Sequence, residues 1–216
     1  MQNIRQLAQE LEQKSQGPEW FEELYARGAR EGFDAPWAER RVNPWLSDFV
    51  KKHPEVLVSP AIVVGCGLGD DASWLAKRGV RTLGIDISRT AIDICYKRYT
   101  MGVEFRVVDL LALPPQLVGT FPFVFEAYTI QSLREPQRQQ AIRAVASLVA
   151  PGGRLLVIQR GRDEDEPSPT MPWPLTRDEF AAFVEAGLTL HSFEDFSDDE
   201  EPPKRRFRAL YRRRPR

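Results

Sequence analysis

The sequence is poor in the residues from which disulfide frameworks and most metal centres are built. Its 216 residues include only two cysteines and two histidines. Cys66 lies inside a glycine-rich stretch and Cys95 on a predicted helix, while His53 and His191 are far apart in the chain. We therefore expect neither a disulfide scaffold nor a metal site.

Long hydrophobic runs and a strong charge of one sign are also missing. No apolar run approaches the roughly 18 residues that a membrane-spanning helix needs, and the first residues lack the basic-then-apolar pattern of a secretion signal. The formal net charge is −1, so bulk charge favours no polyanionic partner. We expect a soluble, reduced, cytoplasmic protein, monomer or homodimer, that binds neither nucleic acid nor membrane.

The most informative stretch runs from Ala61 to Ala72. It opens with a short β-branched run, continues with Gly65, Gly67 and Gly69 at every second position, and then turns amphipathic. Glycine lets a ligand lie directly against the backbone, and a helix start presents unpaired N–H groups. The pattern predicts a strand, a turn and a helix at a nucleotide-cofactor site, with Asp70 or Asp71 capping the helix. Taken alone, it is equally compatible with a glycine-rich turn that binds nothing.

The glycine spacing distinguishes two kinds of cofactor. In the dinucleotide pattern a third small residue allows close helix packing, and here that place falls on Asp70, whose charge would face a pyrophosphate. The spacing G-x-G-x-G instead resembles motif I of class I S-adenosylmethionine-dependent methyltransferases. The resemblance implies that Gly65, Cys66, Gly67 and Gly69 cradle the amino-acid end of S-adenosylmethionine.

Acidic residues stand at the ends of the next two predicted strands. Asp86 follows Gly65 by roughly 20 positions, the spacing of an acid that accepts both ribose hydroxyls; its alternative role, a helix cap, is already suited to Ser88. In the family, an acid in the place of Asp109 accepts a hydrogen bond from the adenine amino group, with an apolar neighbour, here Leu110, on the ring. All three strand ends would meet at one edge of a parallel sheet. The residues expected at the cofactor are Gly65, Cys66, Gly67, Gly69, Asp86, Ile87, Asp109, Leu110 and Glu126.

The loop after the fourth predicted strand supplies the catalytic candidates. In the family this loop faces the methyl group, which here points to Tyr128 and Gln131, with Glu126 near enough to be considered. Ordinary packing explains Tyr128 about equally well. Since no histidine is placed as a general base, a thiol or another nucleophile ionised near neutral pH would need least help.

The residues before the first strand predict a helical cap. Helices there commonly close the substrate pocket in this family, so we divide the chain into a lid, residues 1–57, and a methyltransferase domain, residues 58–216. The alternative is that these helices only cover one side of the core. Arg160 and Arg162 leave the fifth strand on the ligand side and would hold either an acidic substrate or an acidic segment of the protein. The residues expected at the substrate are Phe33, Trp37, Tyr128, Arg160 and Trp173.

The order of elements predicts a Rossmann-like α/β fold. We expect a seven-stranded, mostly parallel sheet with an antiparallel C-terminal strand, helices on both faces and the helical lid. Residues 150–153 are predicted to form a sharp turn before the fifth strand. The arginines that alternate with Phe207, Ala209 and Tyr211 predict an exposed edge strand.

The resemblance implies methyl transfer from S-adenosylmethionine to a sulfur, oxygen or nitrogen atom of a small molecule. The Pro36-Trp37 and Pro44-Trp45 pairs make the chain similar to thiopurine methyltransferase-like enzymes. One departure is Val63, which stands where the family often has an acid. Two alternatives remain open: a cofactor-binding protein of this fold without catalysis, and a nicotinamide-dependent oxidoreductase.

Overall fold

A single mixed sheet organises the chain in the computed structural model, which describes residues 3–15, 17–99 and 101–215. Seven helices accompany it in this part of the chain. The strands are β1 (Ala61–Val64), β2 (Thr82–Asp86), β3 (Val103–Val107), β4 (Phe121–Ala127), β5 (Val149–Arg160), β6 (Thr189–Ser197) and β7 (Arg205–Arg212). The helices are α1 (Ile4–Lys14), α2 (Trp20–Glu31), α3 (Pro44–Lys52), α4 (Asp70–Ala76), α5 (Arg89–Arg98), α6 (Gln137–Leu148) and α7 (Arg177–Glu185).

The strand order is β3-β2-β1-β4-β5-β7-β6. β1 to β5 pair in parallel, and β7 runs antiparallel to both β5 and β6. The predicted fold class is therefore confirmed. The carboxyl ends of the parallel strands lie along one edge, and β1, whose four residues are all buried, stands near the middle of the sheet.

Apolar layers on both faces hold the sheet in place. One layer contains Ile142 and Leu148 of α6, and the opposite layer contains Leu46 and Phe49 of α3 together with Leu75 of α4. A third cluster joins α1 and α2 to the glycine turn and to a segment after β5; its members include Leu7, Leu24, Leu68, Met171 and Trp173. α3 is thus part of the sheet core, whereas α1 and α2 pack above the edge where the strands end.

β7 is an interior strand, so the prediction of an exposed edge strand was wrong. It lies between β5 and β6, and Arg206 and Arg208 are buried on one face while Phe207 and Tyr211 are buried on the other. The arginines are tolerated because acidic partners reach them: Asp198 and Glu200 pair with Arg206.

The start of α4 also differs from the prediction. Gly69, with φ of 82°, occupies the cap position, and no side chain caps the helix. Asp70 instead pairs with Arg98, and Asp71 accepts a hydrogen bond from the Asn43 backbone N–H at 2.7 Å. Both acids therefore tie the helix start to neighbouring elements.

The boundary of β5 differs from the prediction. β5 already begins at Val149, because a register shift against β4 absorbs residues 150–153 within the strand. The cap expected at Ser88 is confirmed, since its side chain accepts from the Ala91 N–H at the start of α5. Thr176 opens α7 with a capping box, and Gly32, with φ of 79°, follows the last residue of α2.

Candidate active site

A cavity of about 760 Å³ opens at the carboxyl edge of the sheet. This volume is within the range of roughly 300–1,000 Å³ typical of small-molecule sites. Its walls come from the strand ends, from the residues around α1 to α3 and from segments after β5 and β6. The sequence-predicted residues found in these walls are Trp37, Gly65, Cys66, Gly67, Asp86, Ile87, Asp109, Leu110, Tyr128, Gln131 and Arg160.

The glycine turn forms the floor of the cavity. Gly65 and Gly67 have φ of 58° and 52°, a region that favours glycine. A Cβ on Gly65 would stand 2.0 Å from the Thr129 Oγ1, and one on Gly67 would stand 3.1 Å from the Tyr25 hydroxyl. Because Gly65 and Gly67 have no side chains, their backbone can lie against Thr129 of the loop after β4 and against Tyr25 of α2.

Asp86 is fixed beside this turn by two backbone donors. Its Oδ2 accepts from the Gly67 N–H at 2.8 Å, and its Oδ1 accepts from the Ser88 N–H at 2.9 Å. Burial raises the pKa of the carboxyl, and these hydrogen bonds oppose the rise. Because each carboxylate oxygen has two acceptor positions, Asp86 can still accept from hydroxyls within the cavity.

Asp109 stands at the next strand end with one oxygen engaged. Its Oδ1 accepts from the Leu111 N–H at 2.8 Å, which closes the short turn Leu110–Ala112. Val108 and Leu110 supply apolar surface next to the carboxylate. A polar edge beside apolar surface suits a flat heteroaromatic ring.

Tyr128 lies at the opposite end of the cavity in an unusual backbone conformation. Its φ is 65°, and its N–H donates to the Ile158 carbonyl oxygen at 3.1 Å. A non-glycine residue in this region is held there by its surroundings. Burial raises the pKa of the phenol, so at neutral pH the hydroxyl is a hydrogen-bond donor and not a base.

Gln131 connects three segments around the cavity. Its Oε1 accepts from the Arg160 N–H, and its backbone carbonyl oxygen accepts from the Trp173 N–H, both at 2.8 Å. The side chain is buried but reaches the cavity wall. Gln131 therefore fixes the loop after β4 against the end of β5.

Glu126, although expected at the site, does not reach the cavity. It is completely buried and accepts hydrogen bonds from the N–H groups of Thr129 and Ile130 and from the Gln159 amide. Burial raises the pKa of Glu126 to about 7 against the effect of these donors. Its position is that of an internal anchor for the loop that carries Tyr128.

Gly69, Phe33 and Trp173 are likewise absent from the cavity wall among the described residues. A Cβ on Gly69 would stand 2.9 Å from the Phe105 ring, so this glycine is required for packing beneath the turn. Phe33 is a partly buried member of the cluster around α1 and α2. Trp173 is buried in the same cluster, and Met171 of the same segment lines the cavity in its place.

Asp71 is a cavity residue that the sequence reasoning did not identify. It is half-buried in the wall, with its Oδ1 holding the Asn43 N–H. Burial raises the pKa of Asp71 to about 7, with Asp70 and Glu39 adding to the rise. The acidic pair directly after the third glycine was the available signal, but it was interpreted as a helix cap.

Tyr25 was also missed. Its hydroxyl lies over Gly67 and accepts from the Trp37 indole N–H at 2.9 Å. The two rings meet edge to face with centroids 6.2 Å apart. This aromatic pair joins α2 to the following loop on the cavity side opposite the strand ends.

Across residues 3–15, 17–99 and 101–215, no three His, Cys, Asp or Glu side chains are grouped as a metal site would require. In the same residues, none of the helices is both long enough and apolar enough to cross a membrane.

A family model described as "Methyltransferase domain" matches residues 61–153. The chain is 28% identical over 117 residues to a ubiquinone biosynthesis O-methyltransferase of Chromobacterium violaceum, a match that covers 52% of this chain and 49% of the relative. It is 31% identical over 155 residues to the methyltransferase GfsG of Streptomyces halstedii, covering 64% of this chain and 56% of that protein. The chain thus spans about half the length of the curated relatives it matches.

Solved structures share the whole architecture. A SAM-dependent methyltransferase from Anabaena variabilis superposes with a TM-score of 0.72 at 16% identity, covering 90% of this chain and 93% of the other. A protein from the work described as "Conversion of a Disulfide Bond into a Thioacetal Group during Echinomycin Biosynthesis" gives a TM-score of 0.73 at 19% identity, covering 91% of both chains. At these identities the likeness establishes the fold.

Proposed function

We propose that this chain, which carries a class I methyltransferase domain, transfers the methyl group of S-adenosylmethionine to a nucleophilic atom of a small molecule. One observation carries the proposal. The glycine turn after β1, Asp86 at the end of β2 and Asp109 just after β3 all line the same cavity.

The residues of the cavity fit this cofactor part by part. Gly65 and Gly67 line the cavity with their backbone, where the amino-acid end of the cofactor would lie. Asp86 has acceptor positions left for a ribose diol, and Asp109 has one oxygen left for an exocyclic amino group beside Leu110.

When bound, S-adenosylmethionine supplies an electrophilic methyl carbon on a sulfonium centre. The chain holds the methyl acceptor and the cofactor in a fixed orientation and excludes water, so that methyl transfer proceeds as an effectively unimolecular step. Residues around α1 and α2 cover the strand ends, and the ring pair Tyr25 and Trp37 presents aromatic surface of the kind that stabilises cations. Cys66 remains a neutral thiol, because a hydrogen bond with Cys95 and burial raise its pKa.

Three side chains near the cavity can be compared as acceptors of the proton that the substrate releases. Tyr128 is protonated at neutral pH, and Glu126 is buried outside the cavity. Asp71 lies in the wall and has a pKa of about 7, so it is suited to take a proton from a phenol. A thiol that is already ionised needs no such base.

The acceptor class follows from these features. Several relatives are named O-methyltransferases, and the sequence is similar to thiopurine methyltransferase-like enzymes. Aromatic and apolar wall residues, among them Trp37, Trp45 and Met171, suit a flat acceptor. We infer an aromatic thiol or phenol of small size.

The proposal is tested by following tritium from methyl-labelled S-adenosylmethionine into a panel of aromatic thiols, phenols and amines. We expect transfer to at least one thiol or phenol, reduced by at least about 100-fold in Asp86→Ala. Asp93→Ala, which removes an exposed carboxylate of α5 paired only with Arg89 among the described residues, is the matched control and should retain wild-type rates. Binding of S-adenosylmethionine without transfer to any acceptor would favour a protein that binds the cofactor without catalysis.

A further inference from the structure

Arg160 is a half-buried arginine of the cavity wall whose side chain has no partner; Arg5, which also lines the cavity without a side-chain partner among the described residues, is exposed. The Arg160 guanidinium lies in the cavity wall and makes no hydrogen bond or ion pair with any of the residues that the structure describes. Arg98 pairs with Asp70, Arg206 with two acids, and Arg41 with Glu39. A half-buried cation without a counter-charge is costly unless a ligand supplies one.

The backbone of Arg160 is rigidly held. It ends β5, its N–H donates to the Gln131 Oε1 at 2.8 Å, and its carbonyl oxygen accepts from the Leu175 N–H at 2.9 Å. On the other side it pairs with Arg206 in the antiparallel ladder. The side chain therefore starts from a fixed position next to Tyr128 and Gln131, at the end of the cavity away from Asp109.

Nearby acidic segments of the protein do not neutralise the Arg160 guanidinium. Asp163 and Asp195 are both held by Arg205, at 2.6 and 2.8 Å. Asp198 and Glu200 are both held by Arg206. This leaves the other possibility raised by the sequence, an acidic ligand.

Asp199, also on the cavity rim, is exposed and makes no hydrogen bond or ion pair with Arg160. Arg162, the other arginine near this strand end, is used by the protein itself. Its guanidinium donates to the carbonyl oxygens of Pro174 and Glu166, and it faces Glu179 at 3.8 Å.

The electrostatic surroundings of Arg160 also favour an acidic ligand. Burial lowers the pKa of Arg160, and the neighbouring charge of Arg206 lowers it further, while Glu200 opposes the effect. The guanidinium thus stands in a partly desolvated place beside a second cation. An anion bound there would pair with the Arg160 guanidinium, since Arg206 is already paired with Asp198 and Glu200.

We propose that Arg160 binds a carboxylate on the methyl acceptor and so selects aromatic acids over neutral aromatic compounds. The proposal rests on the proposed methyl-transfer function. A guanidinium matches a carboxylate through two parallel N–H donors. The protonated Tyr128 hydroxyl adds a donor nearby, and Trp37 and Met171 add apolar wall for the ring.

The test compares acids with their amides as ligands of the protein saturated with S-adenosylhomocysteine. The probes are 4-mercaptobenzoate with 4-mercaptobenzamide and 3,4-dihydroxybenzoate with 3,4-dihydroxybenzamide. Their binding is measured by calorimetry, and methyl transfer to them is measured separately with S-adenosylmethionine in place of S-adenosylhomocysteine. At least one acid should bind at least about tenfold more tightly than its amide, and the preference should appear in KM and not in kcat.

Arg160→Met should remove the preference, and Arg160→Lys should restore part of it. Arg162→Met is the matched control and should keep the preference, because its guanidinium contacts lie outside the cavity. Arg160→Met loses no side-chain partner among the described residues and should fold normally, which circular dichroism checks.

Equal binding of acids and amides by the wild-type protein would overturn the proposal, as would an acid preference that survives in Arg160→Met. The failure of methyl transfer is separable from both results. If S-adenosylhomocysteine does not bind, the same titrations without it still report whether Arg160 distinguishes acid from amide, while the methyl-transfer function is lost.

Discussion

At the scale of single residues, burial assigns different tasks to acids of the same type. Asp86 is fixed by two backbone donors and has acceptor positions left for the cavity. Glu126 uses its oxygens entirely within the protein. Asp71 has one oxygen on the Asn43 N–H and a pKa of about 7. The surroundings thus leave different oxygens free on the three acids, and on this basis we propose that Asp86 holds the ligand and that Asp71 accepts the proton.

Asp71→Asn separates the proton acceptor from its structural role, because the amide oxygen can still accept from the Asn43 N–H. We expect methyl transfer to a phenol to fall by at least about 100-fold, and transfer to an aromatic thiol ionised at neutral pH to change by less than about threefold. The wild-type rate with a phenol should rise with pH through about 7 as the carboxyl ionises, and the variant should lack this rise. Initial rates across pH measure both effects, and equal losses with thiol and phenol would contradict the role of Asp71.

Glu126→Gln tests the loop anchor through the pH dependence of the free energy of unfolding. The carboxyl has a pKa of about 7 in the folded protein against 4.5 as its ordinary value, so the folded state binds the proton more tightly. Its contribution to stability is complete below pH 4.5 and is lost as pH rises to about 7. Between pH 4.5 and about 7, the free energy of unfolding of Glu126→Gln should therefore fall by roughly 1–3 kcal/mol less than that of the wild-type protein.

Urea unfolding at several pH values measures this change. Asp71 and Asp86 also have raised pKa values, so part of the fall should remain in Glu126→Gln. A variant whose stability follows the same pH profile as the wild-type protein would show that Glu126 does not carry the shift.

At the scale of elements, a buried arginine of β7 joins the first part of the chain to the last. Arg208 is 3% exposed, and its guanidinium pairs with Asp48 of α3 and Glu194 of β6 and donates to the Trp45 carbonyl oxygen at 2.9 Å. It also packs 5.1 Å from the Phe49 ring centroid. α3 is thereby attached to the sheet beside the cavity wall that contains Trp45.

Arg208→Met should lower the free energy of unfolding by about 1–3 kcal/mol, because the Trp45 carbonyl loses a donor, Glu194 loses its partner and Asp48 keeps only Lys52. Both acids are partly exposed, so water limits the loss. Arg212→Met, an exposed position on the same strand, is the matched control and should change stability by no more than about 0.5 kcal/mol. Equal stability of the two variants in urea unfolding would show that the buried pairings contribute nothing to the attachment of α3.

The same elements show what local sequence can and cannot predict. The strand ends at Asp86 and Asp109 were predicted because short runs rich in apolar residues are followed there by an acid, at the spacing and order of the family's motifs. The interior position of β7 was not predicted. Arginines alternate with apolar residues in the same way on an exposed edge strand and on an interior strand where acidic residues pair with them. Which strands become neighbours is decided by pairing across the whole chain.

At the scale of the whole molecule, the sheet brings three distant motifs to one cavity, and the fold class followed from their order in the sequence. The walls contributed by Tyr25 and Met171 did not follow from it. Their place depends on how α1, α2 and the segment after β5 pack over the strand ends, and no short-range pattern records that packing. Glu126 shows the converse, since its position at a strand end suggested the site while its side chain turns into the core.

The central claim, that the strand ends at this cavity bind S-adenosylmethionine, is tested most directly by calorimetric titration of the protein with S-adenosylmethionine, S-adenosylhomocysteine and NAD in parallel. We expect both adenosyl ligands to bind at micromolar concentration, NAD not to bind, and Asp86→Ala to weaken the adenosyl ligands by at least about tenfold while Asp93→Ala does not. Binding of NAD alone, or adenosyl binding that is unaffected by Asp86→Ala, would contradict the account.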